Sequence, residues 1–442
     1  MAEELSSHSI KKAVILGLDG VPYSLLQRFT LDGIMPNLAR LKEEGTLCSM
    51  TSSLPEVSST AWSTFMTGVN PGRHSIFGFM EVNKDTYSWE FPNFNDLKSK
   101  TIWEIAAEKG KRSIVVNVPS TYPARPLYGM MVSGFIALDL KKASYPEKLY
   151  QYLRSIDYVI DVDAGKATKS LDDFTDDLLH TFRKRKEAII HLFDSEHWDL
   201  FIAVVTETDR LHHYLWNALE DDSHSKHDFF LNFYTELDSF IGSIHERMGQ
   251  NMSLIILSDH GFTSIKKEVH LNVLLQEKGY LRFIKSKPES FRDMDSGSMA
   301  FALSPARIYI HLKDKYAHGS VGQGRYEEIV NAVARDLISL ELDGEKVIRS
   351  VFHKEDLYRG AFFQDAPDLV ILPHEGYDLK SSLSADEISG KSPLTGGHTW
   401  ENAAFYINEK VHCKSPNIID VGGTILKLLD ILPDGLEGNY LI

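Results

Sequence analysis

Four short apolar runs without polar alternation occur in the first 260 residues. They lie at residues 13–18, 113–118, 200–205 and 254–257. Such runs are typical of strands that are buried on both faces of a sheet. Helical periodicity separates them, for example at residues 35–44 and 102–109. Strands that alternate with helices predict an α/β fold, in which a mostly parallel sheet lies between helix layers.

Residues 266–395 follow a different pattern. They contain a polar segment, a short strand, a Gly-rich turn, a helix pattern and an apolar run, at residues 285–298, 307–312, 319–324, 326–340 and 369–372. The core pattern resumes at 403–407 and closes with a helix at 421–429. We therefore predict a core formed by residues 1–265 and 396–442, with an accessory lobe inserted at 266–395. This lobe is expected to shape specificity.

The composition excludes several classes of protein. A formal net charge of -15 over 442 residues argues against a protein that binds duplex nucleic acid, which needs an excess of Lys and Arg. An acidic protein with an anionic substrate needs local positive charge, which metal ions supply. The two cysteines, Cys48 and Cys413, are too few for a disulfide framework or a Cys-rich zinc site.

Targeting and membrane signals are missing from the sequence. The first residues, MAEELSSHSIKK, lack the apolar region of a secretory signal, and no window approaches ~18 consecutive apolar residues. We therefore predict a cytoplasmic protein without a membrane partner. The sequence predicts no particular oligomeric state.

Acidic residues follow three of the apolar runs: Asp19, Asp209 and Asp259. In open α/β sheets, ligands bind outside the carboxyl ends of the strands, so these carboxylates are expected at one edge. Asp209 and His213 are four apart on a predicted helix and project from one face. Asp and neutral His are ligands that suit Zn²⁺ and similar ions. The set predicts a metal site.

Two more histidines extend the candidate set. His260 follows Asp259 directly and precedes Gly261, while His398 follows two glycines that permit a close approach. Each member has a structural alternative when taken alone. A strand-end Asp commonly caps a helix or forms a turn, Asp209 with His213 would form a surface pair, and His398 would be a structural histidine. The combination is more specific than its members.

Ser58 is the candidate nucleophile. Pro55 favours extended geometry before it, and a helix pattern starts near Ser58, which places this residue at the N-cap. Free N–H groups and the helix dipole favour an anion there. The alternative is a capping serine. A serine hydroxyl needs an activator to become a nucleophile, and the metal candidates would supply one.

Five ordered motifs carry a family resemblance. They are ILGLDG, PEVSSTAWSTFMTGVNPGRHSIFGF, TETDRLHHYLW, ILSDHGF and GGH, at residues 15–20, 55–79, 206–216, 256–262 and 396–398. The closing segments IIDVGGTILKLLDI and LEGNYL add to them. Together they resemble the alkaline phosphatase superfamily, and specifically prokaryotic-type members of its type I phosphodiesterase/nucleotide pyrophosphatase branch. The match spans nearly the whole chain.

The resemblance implies a three-layer α/β/α sandwich and two divalent metal ions, with Zn²⁺ favoured and Mn²⁺ or Mg²⁺ as alternatives. One ion would be held by Asp209, His213 and His398. The other would be held by four further residues: Asp19, Asp259, His260 and the oxygen of Ser58. In the family the histidine stands four after the aspartate, which selects His213 over His212. Ser58 would form a phosphoserine intermediate.

The sequence departs from eukaryotic-type members at Ala61, where those carry an asparagine that contacts a phosphate oxygen. Nucleotide specificity is therefore not carried over. Either another donor, such as the backbone N–H of Ser59, contacts that oxygen, or the substrate differs. Trp62 is a candidate to contact the substrate, with core packing as the alternative. Arg73 and Arg210 are candidates to contact the substrate, but exposed salt bridges are favoured for them. His74 is expected in a hydrogen bond that fixes a loop.

The favoured function is hydrolysis of a small phosphorylated substrate of the diester or pyrophosphate type. A phosphomonoesterase or phosphonate hydrolase with the same site is the alternative. A sulfatase would need a C/S-x-P-x-R pattern, which SSTAW does not supply, and a phosphoglycerate mutase would need a large lobe before Leu200. A non-catalytic metal-binding protein would have lost a ligand or the nucleophile, and none is missing.

Overall fold

A computed structural model describes residues 11–412 and 415–442, so Cys413 lies outside the described residues. The helices are α1 (Tyr23–Leu31), α2 (Pro36–Glu44), α3 (Ser58–Thr67), α4 (Pro71–His74), α5 (Ile102–Glu108), α6 (Glu147–Ser155), α7 (Leu171–Ser195), α8 (Glu207–Glu220), α9 (His227–Glu246), α10 (Leu271–Glu277), α11 (Tyr326–Ile338), α12 (Lys354–Leu357) and α13 (Ile418–Leu428). Among the described residues, no helix is both long and apolar enough to cross a bilayer.

The strands are β1 (Lys12–Leu18), β2 (Thr46–Met50), β3 (Glu81–Val82), β4 (Trp89–Glu90), β5 (Ser113–Val116), β6 (Gly129–Val132), β7 (Ser144–Tyr145), β8 (Leu200–Val205), β9 (Met252–Leu257), β10 (Gly261–Ser264), β11 (Lys267–His270), β12 (Ala300–Leu303), β13 (Arg307–Ile310), β14 (Glu341–Leu342), β15 (Glu345–Lys346), β16 (Ile348–His353), β17 (Leu369–Pro373), β18 (Tyr377–Lys380), β19 (Ser389–Gly390), β20 (Gly396–Thr399) and β21 (Ala403–Ile407). All four apolar runs of the first 260 residues form strands of one sheet.

Within the described residues, this main sheet has eight strands in the order β2-β21-β9-β1-β8-β5-β6-β7. The five central strands, from β9 to β6, run parallel. The outer strands β21, β2 and β7 pair antiparallel to their neighbours. The predicted mostly parallel sheet is confirmed. Because β1 lies between β8 and β9, the carboxyl ends of these three strands meet at one edge.

Helices cover both faces of the main sheet. Along β1, Val14, Leu16 and Leu18 point into a core shared with α1, α2, α7, α8 and α9. The alternate residues Ala13 and Ile15 point into a second core shared with α3, α5 and α13. A strand buried on both faces has no polar side to expose, which explains its uninterrupted apolar sequence. The three-layer sandwich is confirmed.

A further core lies mostly within residues 266–395. Its antiparallel sheet has the order β12-β13-β17-β16, and α11 packs against it. Strands β18, β11 and β19 form a smaller sheet beside it. Val82 and Tyr87, which precede the predicted insertion, also pack in this core. The predicted lobe therefore has a core of its own, to which the segment around β3 and β4 contributes. The boundaries at residues 265 and 396 stay a prediction.

Element ends differ from the predicted ends by a few residues, for local reasons. The strand predicted at 113–118 ends at Val116, because Asn117 takes a positive φ of 60° that breaks the extended backbone. The last helix was expected from 421 but starts at Ile418. Asn417 and Asp420 form a capping box there, which stabilises the earlier start.

Candidate active site

Three carboxylates gather at the carboxyl edge of the main sheet, as the strand ends predict. Asp19 follows β1, Asp209 lies in the first turn of α8 after β8, and Asp259 follows β9. All three are buried. The parallel order β8-β1-β9 brings together carboxylates that are up to 240 residues apart in sequence. This edge is where α/β proteins place ligands.

His398 reaches the same edge through a short antiparallel pair. Strand β20 pairs with β10, so that His398 lies opposite Phe262. The backbone of Gly396 passes so close to α8 that a Cβ there would lie 2.5 Å from the carbonyl oxygen of His212. Only a glycine lets β20 approach α8 this closely, and this close approach brings His398 next to α8.

The first group of side chains consists of Asp209, His213 and His398. The Nε2 atoms of the two histidines lie 3.1 Å apart. Asp209 Oδ1 lies 3.3 Å from Nε2 of His213 and 3.4 Å from Nε2 of His398. These three atoms converge on one point, as metal ligands do.

Backbone carbonyls fix the rings of three histidines. The Nδ1 of His213 lies 2.9 Å from the carbonyl oxygen of Gly396, and that of His398 lies 2.8 Å from the carbonyl of Glu56. The Nδ1 of His260 lies 3.0 Å from the carbonyl of Gly261. A carbonyl only accepts, so each Nδ1 carries the proton and each neutral ring turns the lone pair of Nε2 into the site.

The second group surrounds Ser58. Its Oγ lies 3.2 Å from Asp19 Oδ1 and 3.2 Å from Nε2 of His260. Nε2 of His260 also lies 3.4 Å from Asp259 Oδ2. The outer oxygens of the two carboxylates are held by the indole N–H of Trp62, which donates to Asp19 at 3.0 Å, and by the backbone N–H of Gly20, which donates to Asp259 at 3.0 Å.

Two buried carboxylate oxygens of this site lack a hydrogen-bond donor within the described part of the chain. Among the described residues, Asp209 Oδ1 and Asp259 Oδ2 have no hydrogen-bond partner although both are buried. Buried polar atoms normally have a partner, and a carboxylate oxygen that faces imidazole lone pairs fits a cation. Two sets of ligand atoms lie close enough to hold an ion: Asp209 with His213 and His398, and Asp19 with Asp209 and His260. The residues present therefore fit bound metal.

Burial and mutual repulsion change the pKa values of the acids. Burial, together with the nearby Asp259 and Asp209, raises the pKa of Asp19 well above its ordinary value. Burial raises the pKa of Asp259 to about 6. Burial alone would also raise the pKa of Asp209, but without an ion His213 and His398 carry a proton towards this carboxylate and, together with Arg210, hold its pKa well below the ordinary value. Carboxylates that repel one another in a buried site are stabilised by a cation.

Ser58 is the first residue of α3, and Val57 rather than Ser58 is its N-cap. The expected N-cap position is therefore wrong by one residue. The first backbone hydrogen bonds of the helix are donated by Thr60 and Ala61 to the carbonyl of Val57. The N–H groups of Ser58 and Ser59 precede them and belong to the unpaired donors of a helix start. The Ser59 side chain is buried.

Trp62 lies under the site rather than on its wall. The side chain is 0% exposed, and its ring packs so close to β1 that a Cβ at Gly17 would lie 2.5 Å from it. Its indole N–H donates a hydrogen bond to Asp19. This position holds Asp19 in place and leaves no face of the ring for the candidate substrate contact.

Arg210 lines the site, which is the less favoured of the two alternatives that the sequence left open. Instead of forming an exposed salt bridge, it is only 14% exposed and lies between Asp161, at 2.7 Å, and Asp209, at 3.3 Å. Its guanidinium lies 4.5 Å from the ring centre of Phe135. Its position directly after Asp209 was the available signal. No motif pointed to Phe135 or Asp161.

Neighbouring polar residues keep structural roles. His212 is buried, with Nδ1 at 2.9 Å from the carbonyl of Gly20 and Nε2 at 2.7 Å from the Tyr234 hydroxyl, so both ring nitrogens are used outside the site. His74 is hydrogen-bonded to Thr64, and Arg73 forms a salt bridge with Glu437. The structure thus places His213, and not His212, beside Asp209.

Two connected cavities lie over these groups. A small pocket of about 90 Å³ is lined by Asp19, Ser58, Asp209 and Arg210, among others. A cleft of about 750 Å³ lies next to it, and the segment 372–380 forms part of its lining. The two cavities share four of their lining residues: Phe79, Phe135, His213 and His398. A group held at Ser58 can therefore extend into the cleft.

Known structures share this fold at low sequence identity. Phosphonoacetate hydrolase from Sinorhizobium meliloti 1021, in complex with phosphonoacetate, has a TM-score of 0.65 and 16% identity, with 95% of each chain covered. Murine ectonucleotide pyrophosphatase / phosphodiesterase 5, inactive and in complex with AMP, has a TM-score of 0.57 and 14% identity, with 97% of each chain covered. The human protein of the same name gives 0.57 and 15%, with 97% of each chain covered.

Sequence comparison identifies the family. No curated protein matches the chain. The family described as type I phosphodiesterase / nucleotide pyrophosphatase matches residues 13–400. This span contains all the candidate residues of the site. The chain therefore belongs to the type I phosphodiesterase / nucleotide pyrophosphatase family of the alkaline phosphatase superfamily, and is a metal-dependent hydrolase of phosphoric ester or phosphoanhydride bonds.

Proposed function

We propose that the chain hydrolyses a small phosphodiester or pyrophosphate by means of two metal ions and the nucleophile Ser58. One observation carries the proposal. Nε2 atoms of His213 and His398 face each other at 3.1 Å, with Asp209 Oδ1 beside both, and no side-chain donor among the described residues separates them. Three acceptors around one point require a cation or a proton between them.

The proposed ligand sets are the ones that the family resemblance implies. Asp209, His213 and His398 would hold one ion, and Asp19, Asp259, His260 and the Ser58 oxygen the other. Three imidazoles favour Zn²⁺ over Mg²⁺, which prefers oxygen ligands, with Mn²⁺ as an intermediate. The ions, when bound, lower the pKa of the serine hydroxyl and neutralise charge on the phosphoryl oxygens.

Ser58 is positioned to attack phosphorus. Its hydroxyl lies within hydrogen-bond distance of the carboxylate of Asp19, which can accept its proton. A bond forms between its Oγ and phosphorus while the bond from phosphorus to the departing oxygen breaks, and that oxygen takes up a proton. Water then attacks the phosphoserine, which releases the phosphoryl product and restores the hydroxyl.

Two donors of the chain would contact the phosphoryl oxygens. The N–H of Ser59 is unpaired at the start of α3, where the helix dipole favours an anion. The Arg210 guanidinium lines the same pocket. These groups would contact the phosphate oxygen that, in eukaryotic-type members, is contacted by the asparagine at the position of Ala61. Trp62 would act through Asp19, which it holds by a hydrogen bond.

The test combines metal analysis with activity on bis-p-nitrophenyl phosphate and p-nitrophenyl phosphate, with and without a chelator. We expect two ions per chain, loss of activity with the chelator, and recovery on addition of Zn²⁺. A higher kcat/KM on the diester supports the phosphodiesterase. A higher value on the monoester supports the phosphomonoesterase alternative. A metal-free active protein, or activity that the chelator does not change, would contradict the proposal.

A further inference from the structure

The large cleft beside the catalytic pocket is built by two parts of the chain. The core contributes the segment around Phe79, the segment around Phe135 and Trp400, while the segment 372–380 forms a further part of the lining. At about 750 Å³ the cleft exceeds the space that a phosphoryl group needs. It starts at His213 and His398, so whatever is attached to the phosphorus on that side lies in it.

Apolar side chains dominate the wall of the cleft. They include Phe79, Met80, Phe91, Phe135, Leu372 and Trp400. Phe91 is 55% exposed although it is a large apolar residue. Concave apolar surfaces with a few polar groups are typical of small-molecule sites, and exposed aromatic rings gain free energy when a ligand covers them.

The charged residues of the cleft are mainly acidic. Among the described residues that line it, four are acidic and two are basic: Glu56, Glu375, Asp378, Glu401, Arg349 and Lys380. Both bases are already paired, Arg349 with Glu401 at 2.7 Å and Lys380 with Asp378 at 2.8 Å. The exposed Glu375 is left in excess, whereas Glu56 is buried. An anionic group in this cleft would meet these carboxylates without a free cation to bind.

We propose that the cleft binds the organic group of the substrate, and that this group is bulky, apolar and free of further anionic charge. The inference deepens the proposed function, because it assumes a phosphoryl group at Ser58. It narrows that function to the diester, because it disfavours substrates with a carboxylate or a second phosphate, as in a pyrophosphate, next to the reacting phosphorus. Phosphonoacetate, the ligand of one structural neighbour, is a small anion of that kind.

Binding of phosphonates tests this directly. The protein is loaded with Zn²⁺ and titrated by calorimetry with methylphosphonate, 1-naphthylmethylphosphonate and phosphonoacetate. The phosphonate group is common to all three, so that differences report on the cleft. We expect the naphthylmethyl compound to bind at least about tenfold more tightly than methylphosphonate, because its ring covers apolar surface. Phosphonoacetate should bind no better than methylphosphonate.

Two variants at exposed positions assign the effect to the cleft. Phe91→Ala should reduce the naphthylmethyl preference about three- to tenfold and leave methylphosphonate binding unchanged. Glu375→Lys should strengthen phosphonoacetate binding about three- to tenfold, because it reverses a charge. Leu31→Ala, which removes an exposed leucine on α1 outside the cleft, is the matched control and should change neither.

Phosphonoacetate binding as tight as that of the naphthylmethyl compound would overturn the proposal, as would a naphthylmethyl preference that Phe91→Ala leaves intact. The outcome is separable from that of the hydrolase proposal. Binding with the expected preference but without turnover of any p-nitrophenyl ester would contradict the proposed function alone. Turnover without the preference would contradict the cleft proposal alone.

Discussion

At the residue scale, the three histidines of the site are oriented by main-chain atoms. Each Nδ1 donates to a carbonyl, of Gly396, Glu56 or Gly261, and none relies on a side chain for its tautomer. The Nε2 atoms therefore face the site before any ion binds, and ion binding costs little side-chain entropy because the rings are already oriented. Because the anchors are backbone atoms, single side-chain substitutions around them leave the tautomers intact.

Ser58→Ala separates catalysis from metal binding. The variant should lose turnover by ~10³-fold or more, since no nucleophile remains, while six of the seven proposed ligand residues persist. Metal content by mass spectrometry and kcat on bis-p-nitrophenyl phosphate are the two measurements. Ser63→Ala is the control, because it removes a buried hydroxyl of the same helix that forms no hydrogen bond. This variant should keep both its metal content and its kcat. Loss of metal together with activity would mean that Ser58 is structural.

Arg210→Lys examines the guanidinium that lines the pocket. Lysine keeps the charge but loses the planar fork that reaches both Asp161 and Asp209, so kcat/KM should fall about 10- to 100-fold. We expect metal content and melting temperature to stay close to those of the wild type. Arg73→Lys, in a salt bridge with Glu437, should leave kcat/KM unchanged. An unchanged kcat/KM in Arg210→Lys would exclude a role in binding the phosphoryl group.

The sequence predicts the acidic residues of the site better than their surroundings. Asp19, Asp209 and Asp259 follow apolar runs, and topology brings strand ends to one edge, so their proximity needs no knowledge of side-chain packing. The burial of Arg210 depends on Asp161, 49 residues earlier in an irregular segment. No local pattern reveals such a pair. The burial of Trp62 likewise depends on the space that Gly17 leaves on β1.

At the element scale, the pair of β10 and β20 completes the site. It joins the two ends of the segment 266–395 and delivers His398 to the carboxylates of the main sheet. The sequence did not predict this pairing, because four-residue strands separated by 131 residues carry little periodicity. Its glycines did carry a signal. Gly396 lies against the carbonyl of His212, which is the close approach that a glycine before His398 suggested.

Gly396→Ala tests whether this approach positions His398. The new Cβ would lie 2.5 Å from the carbonyl oxygen of His212, so β20 must shift away from α8. We expect at least tenfold weaker Zn²⁺ binding, measured by competition with a chromophoric chelator, because one ligand of the first set moves. Gly324→Ala is the matched control, since a Cβ there meets nothing within 4 Å. Equal affinity in both variants would show that β20 tolerates the methyl group.

At the scale of the whole molecule, buried histidines link stability to pH. His74 is 0% exposed in the core that contains α3, the helix of the nucleophile. Thr64 donates its hydroxyl to the carbonyl of Thr60, so His74 Nε2–H must donate to Thr64 Oγ. The backbone N–H of Ile76 donates to Nδ1. A second proton, on Nδ1, would clash with this N–H, so only the neutral ring fits here.

Burial lowers the pKa of His74 from its ordinary value of 6.5 to about 3. Between pH 6.5 and 3, His74 therefore binds a proton in the unfolded chain but not in the folded chain. The contribution of the neutral ring to stability is fully present above pH 6.5 and is lost as the pH falls towards 3. Between pH 7.5 and 5.5 this one group should lower the free energy of unfolding by about 1.3 kcal/mol. Other histidines add their own changes, so a variant is needed to isolate it.

His74→Gln supplies that comparison. Glutamine can donate to Thr64 and accept from Ile76 but does not titrate, so the variant should lose less stability than the wild type between pH 7.5 and 5.5, by the same ~1.3 kcal/mol. Urea unfolding of the metal-loaded proteins, followed by tryptophan fluorescence, measures the difference. His197→Gln, at an exposed histidine, should keep the wild-type dependence. Parallel pH dependences in His74→Gln and wild type would mean that the buried ring accepts its proton. The pH response of the whole fold would then originate elsewhere.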